Sequence, residues 1–359
     1  MSSNFFQGMK NLEADFPRRS QLTAAGPWWA VTLGRGPRSW GHGQSGNLII
    51  GGHISNHTSL SVSFFNPKAK VELLYLFFSN FEDRAANRMF LGHRFEFQPL
   101  KWARFGITEN IMILLDGVSP QFFDPTYIYH GVYDPNYANT IAAIEAEFAL
   151  VNGLSLHLQA ALDQFQVATE TAQTANAMAL LANLTYGWQQ KKGYWNTHAE
   201  FVLIDPAFYR RQYVDFLVAR DLVKHENHLP VMLIDYLGHR WGSDSLVYQI
   251  GAEYFIPDLM AAYGSITIHR QGELTYTAYH NDEGDNSEDP SINGPPPSGK
   301  TVTDRLIISL GGRWDTPVKG LSLYSQVDWI GRRTWTKATR TSSGESGDFQ
   351  VTVGVSKRF

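Results

Sequence analysis

Ser59-Leu-Ser-Val-Ser-Phe64 alternates one small polar residue with one apolar residue, and Leu91-Gly-His-Arg-Phe-Glu-Phe-Gln98 repeats the pattern, setting Arg94, Glu96 and Gln98 against Phe95 and Phe97. A period of two is the signature of a strand with one wet face and one apolar face. The same alternation recurs at Ile144 to Leu150, Leu154 to Leu158, Trp195 to Leu203, Leu246 to Tyr254, Leu321 to Trp329 and Phe349 to Phe359. A cytosolic α/β chain would interleave helical periods, so the sequence is read as all-β.

Strands of a soluble sandwich are short and wet on their polar side. Here many segments run about nine to eleven residues, the length that crosses an outer membrane at a tilt. Trp28, Trp29, Trp102, Tyr186, Trp188, Tyr194, Trp195, Trp314 and Trp329 fall near strand ends, as an interfacial aromatic girdle requires. The expected fold is a transmembrane antiparallel β-barrel of about 14–18 strands. A short N-terminal helical segment is expected within residues 1–20, because Phe5, Met9, Leu12 and Phe16 recur at helical steps before Pro17; as a plug or periplasmic piece it precedes a barrel over 21–359. Two long loops are expected, at 114–139, rich in aromatic residues, and at 281–300, acidic and Pro-rich. The first is expected to fold inward or over a mouth.

Composition narrows the function. The chain has 359 residues, no Cys and a net charge of -4. There is no thiol chemistry, no zinc-thiolate site and no basic footprint for nucleic acid. No run of apolar residues is long enough for a spanning helix. Met1-Ser-Ser-Asn-Phe-Phe lacks the basic and apolar regions of a signal peptide, so the numbering is expected to start after a removed segment or inside a longer chain. Phe359, in phase with Val351, Val353 and Val355, resembles the terminal aromatic signal read by the barrel-assembly machinery, although Lys357 stands where a hydrophobic residue is usual.

Three chemical motifs fail on physical grounds. Gly294-Pro-Pro-Pro-Ser-Gly-Lys-Thr301 fits the phosphate-loop pattern by letter, but Pro295, Pro296 and Pro297 have no N–H to give a phosphate. His225-Glu-Asn-His228 lacks the four-residue step of a zinc helix. The acidic run Asp282 to Asp289 lacks calcium-loop spacing. No metal, no cofactor and no catalytic residue is expected.

Gly34-Arg-Gly-Pro-Arg-Ser-Trp-Gly-His-Gly-Gln-Ser-Gly46 is richer. Arg35, Arg38, Trp40, His42 and Gln44 combine a flat ring with hydrogen-bond donors, which suits a sugar's C–H face and its hydroxyls or carboxylates. The competing reading is a barrel turn pinned by packing of Trp40 and an Arg ladder in the wall.

These residues, with Gly46-Asn-Leu-Ile-Ile50, His93-Arg-Phe-Glu-Phe-Gln-Pro99, Arg104-Phe-Gly-Ile-Thr-Glu109, Asn139, Leu162-Asp-Gln-Phe-Gln166, Glu200-Phe-Val-Leu-Ile-Asp-Pro206, Tyr209 and Leu237-Gly-His-Arg-Trp-Gly-Ser-Asp244, resemble the capsule-assembly outer-membrane family typified by Wzi. The matches keep their order over most of residues 5–359; His42 replaces the Pro expected after Gly41. The resemblance implies a lectin on a large barrel in the bacterial cell outer membrane, non-catalytic, with surface polysaccharide, outer-membrane lipid, lipopolysaccharide and the assembly machinery as partners. On that reading Arg35, Arg38, Trp40, His42 and Gln44 contact sugar or plug the lumen, and Glu109, Asp163, Gln166, Glu200, His239, Arg240 and Asp244 line the inner wall. The alternatives are a porin-like passive channel, a surface protein that contacts other proteins through its loops, and a hydrolase using lumenal carboxylates such as Asp163 and Glu200.

Overall fold

The computed structural model describes residues 11–13, 19–78, 88–114, 118–131, 138–164, 177–211, 214–224, 230–276 and 294–358. Its strands are β1 (Asn11–Glu13), β2 (Ser20–Ala25), β3 (Trp29–Gly36), β4 (His57–Phe65), β5 (Ala69–Phe78), β6 (Arg88–Leu100), β7 (Ala103–Leu114), β8 (Ala138–Val151) and β9 (Leu154–Gln164). They continue as β10 (Ala177–Gln190), β11 (Gly193–Ile204), β12 (Leu217–Lys224), β13 (Pro230–Tyr236), β14 (Ser245–Ile256), β15 (Met260–Gln271), β16 (Thr301–Asp315), β17 (Leu321–Thr336) and β18 (Ser342–Lys357).

Fifteen strands form one antiparallel sheet in chain order from β2 to β18, interrupted only where β11 pairs with β14. The chain between those two carries β12 and β13, which join β1 in a separate three-stranded sheet. The all-β expectation holds. Two details differ. Asn11–Glu13, inside the expected helical segment, is strand paired with β12, because the extended backbone gains a ladder there; the rest of residues 4–16 lies outside the described residues. The two edge strands β2 and β18 are not paired with each other among the described residues, so the closure expected of a barrel is not seen.

The connections are unequal. At one end the strands are joined by turns such as Asn66-Pro67-Lys68, Lys101-Trp102, Asn152-Gly153 and Lys191-Lys192; at the other, strand ends are separated in sequence by the longer stretches 37–56, 115–137, 205–244 and 272–300. Segment 37–56 and the described residues of 205–244 fold back against one face of the sheet. Leu48, Ile50, Phe208, Tyr209 and Phe216, all fully buried, share a core with Leu74, Phe90, Met112, Ile141, Leu181, Val202 and Val247 of β5 through β14. One face of so many strands can touch one insert only if the sheet curls around it. That concave side is called the inner face below.

The alternation read from sequence sets both faces. Arg94 is buried inside, while Phe95 and Phe97 are exposed outside with Ile107, Ile144, Leu180, Ile250, Ile268 and Leu310. Near the short turns the outer face carries a band of rings: Trp28 on Phe64, Trp102 on Phe148, and Tyr186, Trp188, Trp195 and Tyr254 in series.

Residues 118–131 correct the loop expectation. They lie on the outer face, not over a mouth. Phe122 and Tyr129 pack on Leu73, Leu91, Ile111 and Ile113, which belong to the outward parity of β5, β6 and β7. This strap also caps two polar groups of that face. Tyr129 and His93 share a hydrogen bond of 2.8 Å, and the His130 amide donates to Glu109 at 3.0 Å. The acidic loop falls largely outside the described residues, which resume at 294, and Phe359 also lies outside them.

Candidate functional site

The inner insert is held by wall side chains that meet its backbone. Glu200, buried on β11, accepts hydrogen bonds from the amides of Gln44 (2.6 Å) and Ser45 (2.8 Å) and from the Ser45 hydroxyl. Gln159 of β9 accepts from the Leu48 amide (3.0 Å) and donates to the Trp40 carbonyl (3.2 Å); Asn183 of β10 donates to the His42 carbonyl (3.2 Å). An irregular segment indoors must find partners for its peptide groups, and the wall supplies them. Gly41 and Gly46 have φ of 118° and 152°, which lets the backbone turn against Asn47 and the His239 ring.

The second insert locks onto the first. The Tyr209 hydroxyl donates to the Leu48 carbonyl and accepts from the His239 amide at 3.0 Å, while the Tyr209 amide donates to Asp163 at 2.9 Å. Ser45 Oγ lies 2.9 Å from His239 Nε2. The Ser45 hydroxyl gives its one proton to the Glu200 carboxylate, which also accepts two amides, so in the Ser45–His239 pair Nε2 carries the ring proton. Nε2–H donates to Ser45, which passes its own proton toward Glu200. The order is carboxylate, serine, histidine. A nucleophilic serine needs the imidazole as acceptor and the carboxylate behind it, the reverse of this arrangement.

Burial first, and the Arg240 charge second, pull the His239 pKa down to about 3, so the ring stays neutral in the fold. An unfolded His protonates near its ordinary value. The contribution of His239 to stability is therefore complete above about 6.5 and is lost as pH falls toward about 3. Asp205, pushed up to about 6 by burial, acts with the opposite sign over the upper part of that window. Thermal midpoints at pH 7 and pH 4.5 test this: His239→Gln is expected to lose less on acidification than the wild type. An equal loss would remove His239 from the account.

The residues singled out by sequence divide clearly. Trp40 is only 5% exposed, tilted on Phe90 with the Arg94 guanidinium 5.9 Å from its ring centre, which is the packing alternative and leaves no face for a ligand. Arg38 donates to Ser59 Oγ at 2.9 and 3.1 Å. Arg35 shares the outward parity of β3 with Leu33, away from the insert. Glu109 is on the outer face under the strap, not on the inner wall, because it falls in step with Ile107. Asp163 and Glu200 are on the inner wall, both buried and both spent on holding the inserts. His239 and Arg240 belong to the second insert rather than to the wall. Asp244, next to β14, accepts from the Leu274 and Ser298 amides (3.0 and 2.6 Å), tying down the end of the acidic loop. Gln166 lies outside the described residues.

What stays open is the tip. His42 has 56% of its side chain exposed and lies 3.9 Å from Glu147, which also pairs with Arg104 at 3.3 Å; Gln44 is exposed beside it. Deeper, Glu145 meets Arg94 (3.0 Å) and His157 (3.2 Å). Sequence reading missed Glu145, Glu147 and His157 as a cluster, although their shared inward parity was legible. The tip faces the short-turn end, where His42, Gln44, Glu147 and Arg104 line the inner space as a polar cup, while the buried core of the inserts fills the long-loop end. Among the described residues no cluster of His, Cys, Asp or Glu is arranged to hold a metal ion.

No family model and no curated protein sequence matches the chain. Among solved structures, the fold is similar to that of Wzi, an outer membrane protein involved in group 1 capsule assembly in Escherichia coli and described as a carbohydrate-binding β-barrel. The TM-score is 0.55 at 15% identity, over 94% of this chain and 76% of that one. The likeness is one of fold.

Proposed function

We propose that the chain is a non-catalytic outer-membrane protein that binds surface polysaccharide of the capsular type. The observation that carries this reading is the filled interior: two inserts occupy the long-loop half and leave a polar cup at the other end, on a fold shared with a carbohydrate-binding barrel. A passive channel needs a continuous water path, and the buried core across the inserts argues against one. The reversed order of Glu200, Ser45 and His239 argues against hydrolysis. Lipid and lipopolysaccharide meet the outer face, and the assembly machinery inserts the sheet.

Purified protein on a glycan array, and reconstituted in planar bilayers, tests the reading. Binding of neutral or uronate-containing oligosaccharides with little steady conductance is expected; steady conductance without glycan binding would establish the channel instead. The membrane half is tested separately. Phe95→Arg puts a cation into lipid at a cost of about 2 to 4 kcal/mol near the midplane, whereas Gln98→Arg faces water. Refolding into lipid vesicles should fall for the first and hold for the second; equal yields would count against the outer face as a lipid face.

A further inference from the structure

The cup has a feature that the inserts do not use. Tyr194, Phe255, Tyr263 and Tyr324 lie 37% to 45% exposed near the short turns. Strand parity puts all four inside: Tyr194 is in step with Glu200, Phe255 with Val247, Tyr263 with His269 and Tyr324 with Asp328, each of them buried on the inner face. Tyr194 and Phe255 stack at 5.2 Å with 23° between their planes.

The rings of Tyr263 and Tyr324 lie across the sheet on Gly311 and Gly354, their direct partners on the neighbouring strands. A Cβ at either glycine would overlap the ring, so the glycines make room for rings to lie flat against the wall and show a face to the cup. The Tyr263 hydroxyl donates to Gln326 Oε1 (2.9 Å), and the Gln326 amide donates to Asp328 (2.8 Å), which fixes that ring in place. Aromatic residues on the outer face gain from lipid. These meet water, and uncovered rings in a concave polar space mark a ligand site.

We infer that these four residues form a track for a carbohydrate chain, taking pyranose rings by their C–H faces, with the sugar hydroxyls directed to polar groups of the cup floor. The inference rests on the polysaccharide reading above and moves its site from Trp40 to the opposite part of the wall. Tyr263 and Tyr324 stand two strands apart and two residues out of register, about 12 Å, a span that a short oligosaccharide bridges. Flat rings discriminate weakly between sugars, so the track selects for a chain of pyranoses and leaves finer choice to the groups around His42 and Glu147.

The test uses the full chain in detergent and the strongest oligosaccharide binder from an array of neutral and uronate-containing glycans. Tyr263→Ala with Tyr324→Ala is expected to weaken binding by about tenfold or more, while Tyr263→Phe with Tyr324→Phe, which keeps both faces, stays within about threefold. Heat-modifiable migration on gels checks folding. Should the alanine variant misfold, nitration of wild-type Tyr263 and Tyr324, read by mass spectrometry, should be suppressed by the bound oligosaccharide. Wild-type affinity in a folded alanine variant, or undiminished nitration, overturns the track and leaves the polysaccharide reading standing. Absence of any glycan binding by the wild type overturns both.

Discussion

Trp40→Ala is expected to cost about 3 to 5 kcal/mol of stability, the range for removing a large aromatic side chain from a packed core, while leaving glycan affinity of the folded fraction unchanged. The ring fills the space between Phe90 and the Arg94 guanidinium, and nothing near it collapses easily because Arg94 is already tied to Glu96 and Glu145. Thermal unfolding and oligosaccharide titration of the same preparation separate the two quantities. A stable variant with weakened binding would return Trp40 to the sugar site.

Glu200→Ala is expected to release the tip of the first insert. The carboxylate gathers two amides and one hydroxyl of Gln44 and Ser45, and each buried donor left without an acceptor costs about 1 to 3 kcal/mol. The wall ladder of β11 with β10 and β14 does not depend on that side chain, so the sheet should survive. Steady conductance in planar bilayers and new proteolytic cuts within residues 39–55 are the expected signs. Glu147→Ala, which removes half-exposed pairs with Arg104 and with His42 at the tip but no backbone partner of the insert, should show neither. A closed, protease-resistant Glu200→Ala protein would mean that Gln159, Asn183 and Tyr209 hold the insert by themselves.

The faces of the wall were legible because a period of two writes them directly: Phe95 and Phe97 outside with Arg94 inside needs no tertiary information. What the loops do was not legible. Segment 114–139 reads as aromatic, and both sides of the wall offer apolar partners, so only the placement of Tyr129 against His93 decides for the outer face. Trp40 shows the same limit. A tryptophan flanked by Arg38 and His42 in a glycine-rich stretch suits a sugar or a core equally, and burial settles it. The track at Tyr263 and Tyr324 was missed for a different reason. Its signal is a tyrosine opposite a glycine on the next strand, and register is known only once the strands are paired. Tyr194 shows how girdle reasoning fails by one residue: Trp195 beside it faces outward and Tyr194 faces in.

The strap over 118–131 bears on the order of assembly. Without it, the outward side of β6 and β7 would present an imidazole, His93, and a carboxylate, Glu109, to hydrocarbon, where ionisable groups are costly. That sector of wall is therefore expected to stay out of the bilayer until Tyr129 and His130 have docked. Closure of one surface segment thus becomes a precondition for insertion, and a protein with the strap cut should stall as a folded but unembedded intermediate.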